Sequence, residues 1–202
     1  MKNKAKRQQL IIFVKNRREG HVKTRLAASI GKANALEVYN HLLKITADTA
    51  RKVETDRLVS YSGHTEKVDQ FERALFKKSV QSEGDLGERM DSAFKESFAD
   101  GYEKVVLIGS DCPDISPSII QRAFQLLDEA DCVLGPSADG GYYLIGLKRP
   151  VTEIFLNMKW SVDSVFVETV KRLNAGSVSY RLLPILNDID TAEDLKKSRL
   201  SI

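Results

Sequence analysis

The strongest constraint on this chain is a repeated alternation: short, continuous apolar runs followed by stretches with helical spacing. Leu10-Ile11-Ile12-Phe13-Val14 and Val105-Val106-Leu107-Ile108 contain no polar residue. That is the pattern of strands covered on both faces, whereas a half-exposed strand alternates. Leu36, Tyr39, Leu43, Ala47 and Ala50 recur at helical spacing and predict a long helix over 32–53. Further along, the pattern predicts a strand over 57–61, a short helix over 66–76 and a weak strand over 78–81. Asp85-x-x-Glu88 reads as a capping box, and Ser116-Pro117 as a helix start with proline where its missing N–H costs nothing. Strands over 132–135, 142–147 and 178–183, a helix over 161–173 and a terminal helix opened by Thr191-x-x-Asp194 complete the pattern. Such alternation implies a three-layer α/β domain with a mostly parallel sheet. Right-handed crossovers then gather the carboxyl ends of the strands at one edge, where open α/β sheets bind ligands.

The chain has 202 residues, and no stretch resembles a linker. One domain over 10–202 is therefore expected, preceded by a basic arm over 1–9. Lysine and arginine number 31 against 28 aspartate and glutamate, a net charge of +3, which is too weak to indicate nucleic acid as a partner. Cys112 and Cys132 form no Cys-x-x-Cys pair, so neither a zinc knuckle nor a disulfide framework is expected. Lys2, Lys4, Lys6 and Arg7 before the apolar run imitate an export signal. That run has five residues, short of the ~7–15 such a signal needs. No run approaches the ~18 apolar residues of a membrane span. The expectation is a reduced, cytoplasmic protein.

Polar residues directly after strands are the natural candidates for a site. Lys15-Asn16-Arg17-Arg18-Glu19-Gly20-His21-Val22-Lys23-Thr24-Arg25 carries five fixed positive charges in eleven residues, with Gly20 allowing close backbone approach. Such a loop suits an anion, most naturally phosphate; a solvated basic loop is the plainer reading. It is not a Walker A loop, because Val22 rather than glycine precedes Lys23, and no Gly-x-Gly-x-x-Gly occurs. Asp111 follows the strongest strand within Gly109-Ser110-Asp111-Cys112-Pro113-Asp114. A carboxylate there is costly without a partner, which makes Asp111 the first candidate for a metal ligand, while Asp114 reads as a cap. Asn187-Asp188-Ile189-Asp190 is a second acidic cluster far along the chain. Two hard donors from different loops, with phosphate oxygens and water, would hold Mg²⁺ or Mn²⁺. Ser137-Ala138-Asp139-Gly140-Gly141-Tyr142-Tyr143 marks a tight turn, with Asp139 a candidate base or substrate anchor. Tyr142 and Tyr143 must face opposite sides of a strand, so one at most is expected to line a site. Trp160, the single tryptophan, reads either as a sugar or base platform or as core. Cys112 has no histidine pattern to activate it, and His21, His41 and His64 show no ligand spacing.

Taken in order, Lys23-Thr24-Arg25-Leu26, Asp85-Leu86-Gly87-x-Arg89-Met90, Gly109-Ser110-Asp111-Cys112-Pro113, Gly135-Pro136-x-x-Asp139-Gly140-Gly141-Tyr142-Tyr143, Trp160-Ser161 and Asp188-Ile189-Asp190-Thr191 form a recognisable series. From about 11 to 195 the chain resembles the small bacterial nucleotide-diphospho-sugar transferase-like proteins labelled glycosyltransferases of arsenosugar biosynthesis. It is more distantly similar to 2-phospho-L-lactate guanylyltransferase and the molybdenum cofactor nucleotidyltransferases. The resemblance implies a GT-A fold, a Rossmann-like domain with a mixed, mostly parallel sheet, binding a nucleotide or sugar nucleotide with a divalent metal. It assigns Asp111 and either Asp188 or Asp190 to the metal. It matches Lys23 and Arg25 to the phosphate loop; Lys15, Gly20, Thr24 and Arg89 are added as candidates for the nucleotide and its phosphates, and Gly140, Gly141, Tyr142 and Trp160 for the substrate or acceptor loop. The sequence departs at Arg17, where the family's first loop carries proline, and lacks the Gly-x-Gly-Thr-Arg of sugar-nucleotide pyrophosphorylases.

The leading expectation is a metal-dependent glycosyltransferase acting from a nucleoside diphosphate sugar, with Asp111 and Asp139 as catalytic residues and a small-molecule acceptor. A nucleotidyltransferase acting from a nucleoside triphosphate on a phosphorylated acceptor uses the same metal logic. A non-catalytic nucleotide-binding protein is the third reading. A phosphoacceptor domain built on Asp111 is disfavoured because the basic first loop would have no role. Assembly into a homo-oligomer stays open.

Overall fold

The computed structural model describes residues 7–200. The chain runs β1 (Gln8–Val14), α1 (Thr24–Ile30), α2 (Lys32–Arg51), β2 (Asp56–Tyr61), β3 (Lys77–Val80), α3 (Leu86–Ala99), β4 (Lys104–Ile108) and α4 (Pro117–Leu126). It continues through β5 (Cys132–Pro136), β6 (Tyr142–Leu147), a 3₁₀ turn (Thr152–Ile154), α5 (Val165–Ala175), β7 (Tyr180–Leu182) and α6 (Ala192–Lys197). Of the expected basic arm, residues 1–6 lie outside the described residues, and Gln8 and Gln9 already belong to β1.

Seven strands form one sheet in the order β3-β2-β1-β4-β6-β5-β7. All neighbours pair in parallel except β6, which runs antiparallel to both β4 and β5. The mixed, mostly parallel sheet expected from the sequence is the one observed. Period-two alternation divides its side chains between two cores. Leu10, Ile12, Val14, Val106 and Ile108 pack with α2 and α4, whereas Ile11, Phe13, Val105 and Leu107 pack with α3, the 3₁₀ turn and α5. Leu10, Ile11 and Ile12 are wholly buried, each stabilising by about 1.5–3 kcal/mol. A third, small cluster of Leu26, Ala35, Val38, Leu42 and Ile189 ties α1 and α2 to the chain before α6.

Three elements differ from the sequence expectation, each for a local reason. No helix forms over 66–76. Asp69 accepts the backbone N–H of Phe71 (3.0 Å), the ammonium of Lys78 (2.6 Å) and the Tyr61 hydroxyl. An aspartate engaged with its own backbone two residues on makes a turn and competes with helix. The helix expected over 161–173 begins at Val165, because Ser161 has φ 61° and the carbonyl of Asp163 is held against Gly140. Conversely, the loop expected after β1 gives way at Thr24 to the short helix α1, separated from α2 by Gly31 at φ 88°.

Candidate active site

The topology carries the end of β1, the end of β4 and the β5–β6 turn to the same edge. Because β6 is reversed, its start lies beside the carboxyl ends of β4 and β5, and residues 137–141 join the edge. A cleft of about 770 Å³ opens there. The segment before α6 crosses this edge and stitches the loops together. Its Leu186 carbonyl accepts the N–H of Ala138 (3.0 Å), and its Ile189 N–H donates to the carbonyl of Asp111 (3.0 Å). Buried Ile189 fixes the segment's position, so Asp188 and Asp190 are delivered to Asp111 from across the chain.

Lys23 lies at the centre of these acids. Its ammonium is 2.6 Å from Asp111 Oδ1 and 3.0 Å from Asp190 Oδ1, with the side chain 4% exposed. Burial alone would lower its pKa, but Asp111 and Asp190 outweigh burial and hold it above the ordinary lysine value. Its backbone stands at φ 48°, ψ 46°, the left-handed region that non-glycine residues rarely occupy. Arg25 pairs with the other oxygen of Asp190. Asp190 is thus engaged by two cations, while Asp188 pairs with none among the described residues. Asp188 Oδ1 is buried without a hydrogen-bond partner. Burial, then the charges of Asp111 and Asp139, push the Asp188 carboxyl up to about 7, against a smaller opposing effect of Lys23.

This donor set suits a hard cation. Asp188 offers a buried oxygen with nothing to neutralise it, and Asp111 is partly exposed beside it. Among the described residues no group of three or more His, Cys, Asp or Glu is arranged to hold a metal ion. A cation here would therefore need oxygens from a ligand and water to complete its shell.

Asp139 accepts the N–H of Gly141 (3.0 Å) and the hydroxyl of Ser137, so it shapes the turn as well as facing the cleft. Gly140 has φ 88°, and a Cβ there would lie 2.0 Å from the Asp163 carbonyl oxygen. Its own carbonyl accepts the N–H of Phe166 (2.8 Å), clamping the turn to the start of α5. Tyr142 and Tyr143 do pack into opposite cores, yet both reach the cleft, which sits across the sheet edge and receives side chains from both faces. Tyr142 meets Trp160 edge to face (6.5 Å, 87°), and Trp160 packs over Gly87 so closely that a Cβ there would come within 2.7 Å of its ring. Trp160 is thus both partly core and cleft wall. Arg89 lines the same end, its Nε donating to the Gly84 carbonyl (2.8 Å).

Lys15, Thr24 and Arg25 line the cleft; Gly20 and Gly140 do not, standing behind it as turn residues with positive φ. Arg17 is drawn aside to the Val68 carbonyl (3.0 Å). Tyr39 is a residue the sequence reading counted only as helix core. Its buried hydroxyl accepts the N–H of Lys15 (2.8 Å) and donates to the Lys15 carbonyl (3.0 Å), pinning the start of the basic loop. Cys112 is buried and its thiol is pushed up to about 12, chiefly by desolvation and then by Asp188, so it carries no thiolate at neutral pH.

A family described as an uncharacterized protein conserved in bacteria (DUF2064) matches residues 42–162, more than half of the chain. The chain belongs to this family. The matched region contains the Asp111 loop, the Asp139 turn and Trp160, whereas Lys23, Asp188 and Asp190 lie outside it. A structure from Desulfovibrio desulfuricans G20, described as a candidate nucleotide-diphospho-sugar transferase, is 32% identical, with TM-score 0.86 over 93% of this chain and 84% of that one. The 2-phospho-L-lactate guanylyltransferase of Methanocaldococcus jannaschii is 28% identical over 86% of this chain and 75% of that enzyme. The enzyme of the same name from Methanocaldococcus infernus is 27% identical over 54% of this chain, and the match spans only half of its length. The inositol-1-phosphate CTP transferase of T. maritima shares the fold at TM-score 0.61 and 14% identity, over 93% of this chain and 91% of that one. The fold is thus that of nucleotidyltransferase-like and nucleotide-diphospho-sugar transferase-like α/β proteins. No helix among the described residues is long and apolar enough to cross a membrane.

Proposed function

We propose that the cleft binds a nucleoside triphosphate with Mg²⁺ or Mn²⁺ and transfers the nucleotidyl group to a small phosphorylated acceptor. This replaces glycosyl transfer, which the sequence alone favoured, as the leading reading. The curated relatives that align over most or half of the chain are guanylyltransferases. The observation that carries the proposal is the Ile189–Asp111 hydrogen bond, which brings Asp188 to Asp111 beneath the basic loop. A phosphate oxygen of the acceptor attacks the α-phosphorus, the bond to the β-phosphate breaks, and pyrophosphate leaves. That nucleophile is already anionic at neutral pH, so no base is required. Asp139 then orders the turn and adds to the negative field rather than abstracting a proton. Asp111 and Asp188 would hold the cation, which when bound supplies Lewis-acid stabilisation of the leaving pyrophosphate. Lys15, Thr24 and Arg25 would bind phosphate oxygens around it, and Arg89 would hold the far end of the ligands. Asp190 orients Lys23 and Arg25 and is not a ligand. Trp160 and Tyr142 form an apolar wall for the acceptor or the base.

The description of the 32%-identical D. desulfuricans relative keeps glycosyl transfer from a sugar nucleotide as the second reading. Products separate the two. Incubation of the four ribonucleoside triphosphates with Mn²⁺ and a panel of phosphorylated hydroxy acids should release pyrophosphate, and Asp111→Asn should reduce that release by about 10³-fold or more. Release of nucleoside diphosphate from sugar nucleotides, with no pyrophosphate from any triphosphate, would overturn the nucleotidyl reading. Nucleotide binding without either product would leave only the non-catalytic one.

A further inference from the structure

We infer that Lys23 is a resident counter-ion that keeps free divalent metal off Asp111 and yields its place only when phosphate arrives. The inference rests on the nucleotidyl reading and deepens it: the site takes the cation as a complex with phosphate rather than alone. The Lys23 ammonium lies 2.6 Å from Asp111 Oδ1, where a cation bound by Asp111 would compete with it directly. Two like charges cannot share that oxygen in a partly desolvated site, because their repulsion is little screened there. Lys23 is almost fully buried, its second partner Asp190 is itself neutralised by Arg25, and its backbone is held in the left-handed region at the start of α1. The ammonium is therefore tightly placed in the free protein, on a main chain held in a sparsely populated conformation. Arriving phosphate offers the ammonium a replacement partner at the same edge, where Thr24 and Arg25 line the cleft. Once Lys23 turns to phosphate, Asp111 Oδ1 is freed to join the unpartnered Asp188 oxygen in holding the cation. Metal and phosphate thus enter with positive coupling, a reciprocal effect of each on the other's affinity.

The test measures Mn²⁺ binding by electron paramagnetic resonance of the free ion, with and without pyrophosphate as the probe, at fixed pH. Wild type should bind Mn²⁺ alone with Kd no tighter than about 1 mM. Lys23→Met should bind Mn²⁺ alone at least tenfold tighter, and Lys23→Arg, which keeps the charge, should resemble wild type. With pyrophosphate present, and the Mn²⁺ held by pyrophosphate in protein-free controls subtracted, wild type should bind Mn²⁺ at least tenfold tighter than it does alone, and Lys23→Met should gain less. Equal Kd values for Mn²⁺ alone in wild type and Lys23→Met would overturn the inference. So would micromolar binding of Mn²⁺ alone by wild type, a measurement that needs no variant. Either result with intact pyrophosphate release from triphosphates would leave the proposed function standing. Absence of that release, with Lys23→Met still binding Mn²⁺ alone more tightly, would remove the function and keep the counter-ion.

Discussion

Asp188→Asn should stabilise the metal-free protein, and by an amount that grows with pH. In the folded chain the Asp188 carboxyl is pushed up to about 7, mainly by burial and then by Asp111 and Asp139; in the unfolded chain it returns to its ordinary value of 3.8. Between those pH values the folded state holds a proton that the unfolded state has lost. Unfolding therefore releases a proton, and stability from this group falls as pH rises from about 4 to about 7, then stays flat. The interval, at about 1.4 kcal/mol per pH unit, sets a ceiling of about 4 kcal/mol. Solvent reaching the outer oxygen should bring the measured value to about half of that. Near pH 4 the folded carboxyl is still protonated, close to the amide in shape and charge, and the unfolded one is only partly ionised. There the variant and wild type should unfold at nearly the same urea concentration in EDTA, and by pH 5 the variant should already be ahead. At pH 8.5 the variant should be more stable by about 2–4 kcal/mol, several degrees in Tm for a chain of this length. Comparing the two proteins at each pH cancels the titration of every group not coupled to Asp188. A stability difference that does not change with pH, or one that favours wild type at pH 8.5, would refute the account of Asp188 as an acid held without a partner.

Two other substitutions probe how the site is shaped. Gly140→Ala places a methyl 2.0 Å from the Asp163 carbonyl oxygen at φ 88° and should cost about 2 kcal/mol or more in urea unfolding. Gly109→Ala, which meets nothing within 4 Å, should cost less than about 1 kcal/mol, and equal losses for the two would mean the turn is not clamped. Tyr39→Phe removes both hydrogen bonds to the Lys15 backbone and should lower stability by about 1–3 kcal/mol while weakening pyrophosphate binding several-fold. Unchanged pyrophosphate affinity by calorimetry would show that the loop needs no such anchor.

The frame of this fold was legible because its signals are local. Leu10–Val14 and Val105–Ile108 are strands by apolar continuity alone. The Asp85/Glu88 and Thr191/Asp194 capping boxes each depend on residues three apart, and Ser116 caps α4 with Pro117 at its first position. What could not be read depends on partners distant in sequence. The 66–76 stretch has helix-compatible residues, but Asp69 is committed to Tyr61 and Lys78, and no spacing rule shows a buried ion pair with a neighbouring strand. Tyr39 sits at a core position of α2, and only the fold reveals that its hydroxyl reaches Lys15. The reversal of β6 is likewise a tertiary fact: Tyr142–Leu147 is equally good as a parallel or antiparallel strand. Asp111 and Asp139 lie just past strands, where strand-edge logic points first, whereas Asp188 and Asp190 read only as an acidic cluster before the terminal helix. The pairing of Asp111 and Asp190 with Lys23 did not follow from a count of positive charges.

The two aspartates that sequence could not separate are separated by the residue between them. Ile189 is apolar and 1% exposed, and its backbone N–H is committed to Asp111. That anchor holds the two flanking carboxylates in different surroundings. Asp190 meets Lys23 and Arg25, where a carboxylate lowers the cost of burying an ammonium. Asp188 lies under the electrostatic influence of Asp111 and Asp139, where a third carboxylate raises the cost of the whole cluster. Selection for stability alone would place an amide or an apolar residue at 188. An unpaired acid there makes physical sense in a site whose energy falls when a cation and its phosphates arrive, since whatever binds only the folded state returns that stability by mass action. By the same logic Ile189→Asp should do more harm than either neighbouring Asp→Asn: it removes the anchor that fixes both roles, buries a charge, and should cost at least about 3 kcal/mol in urea unfolding.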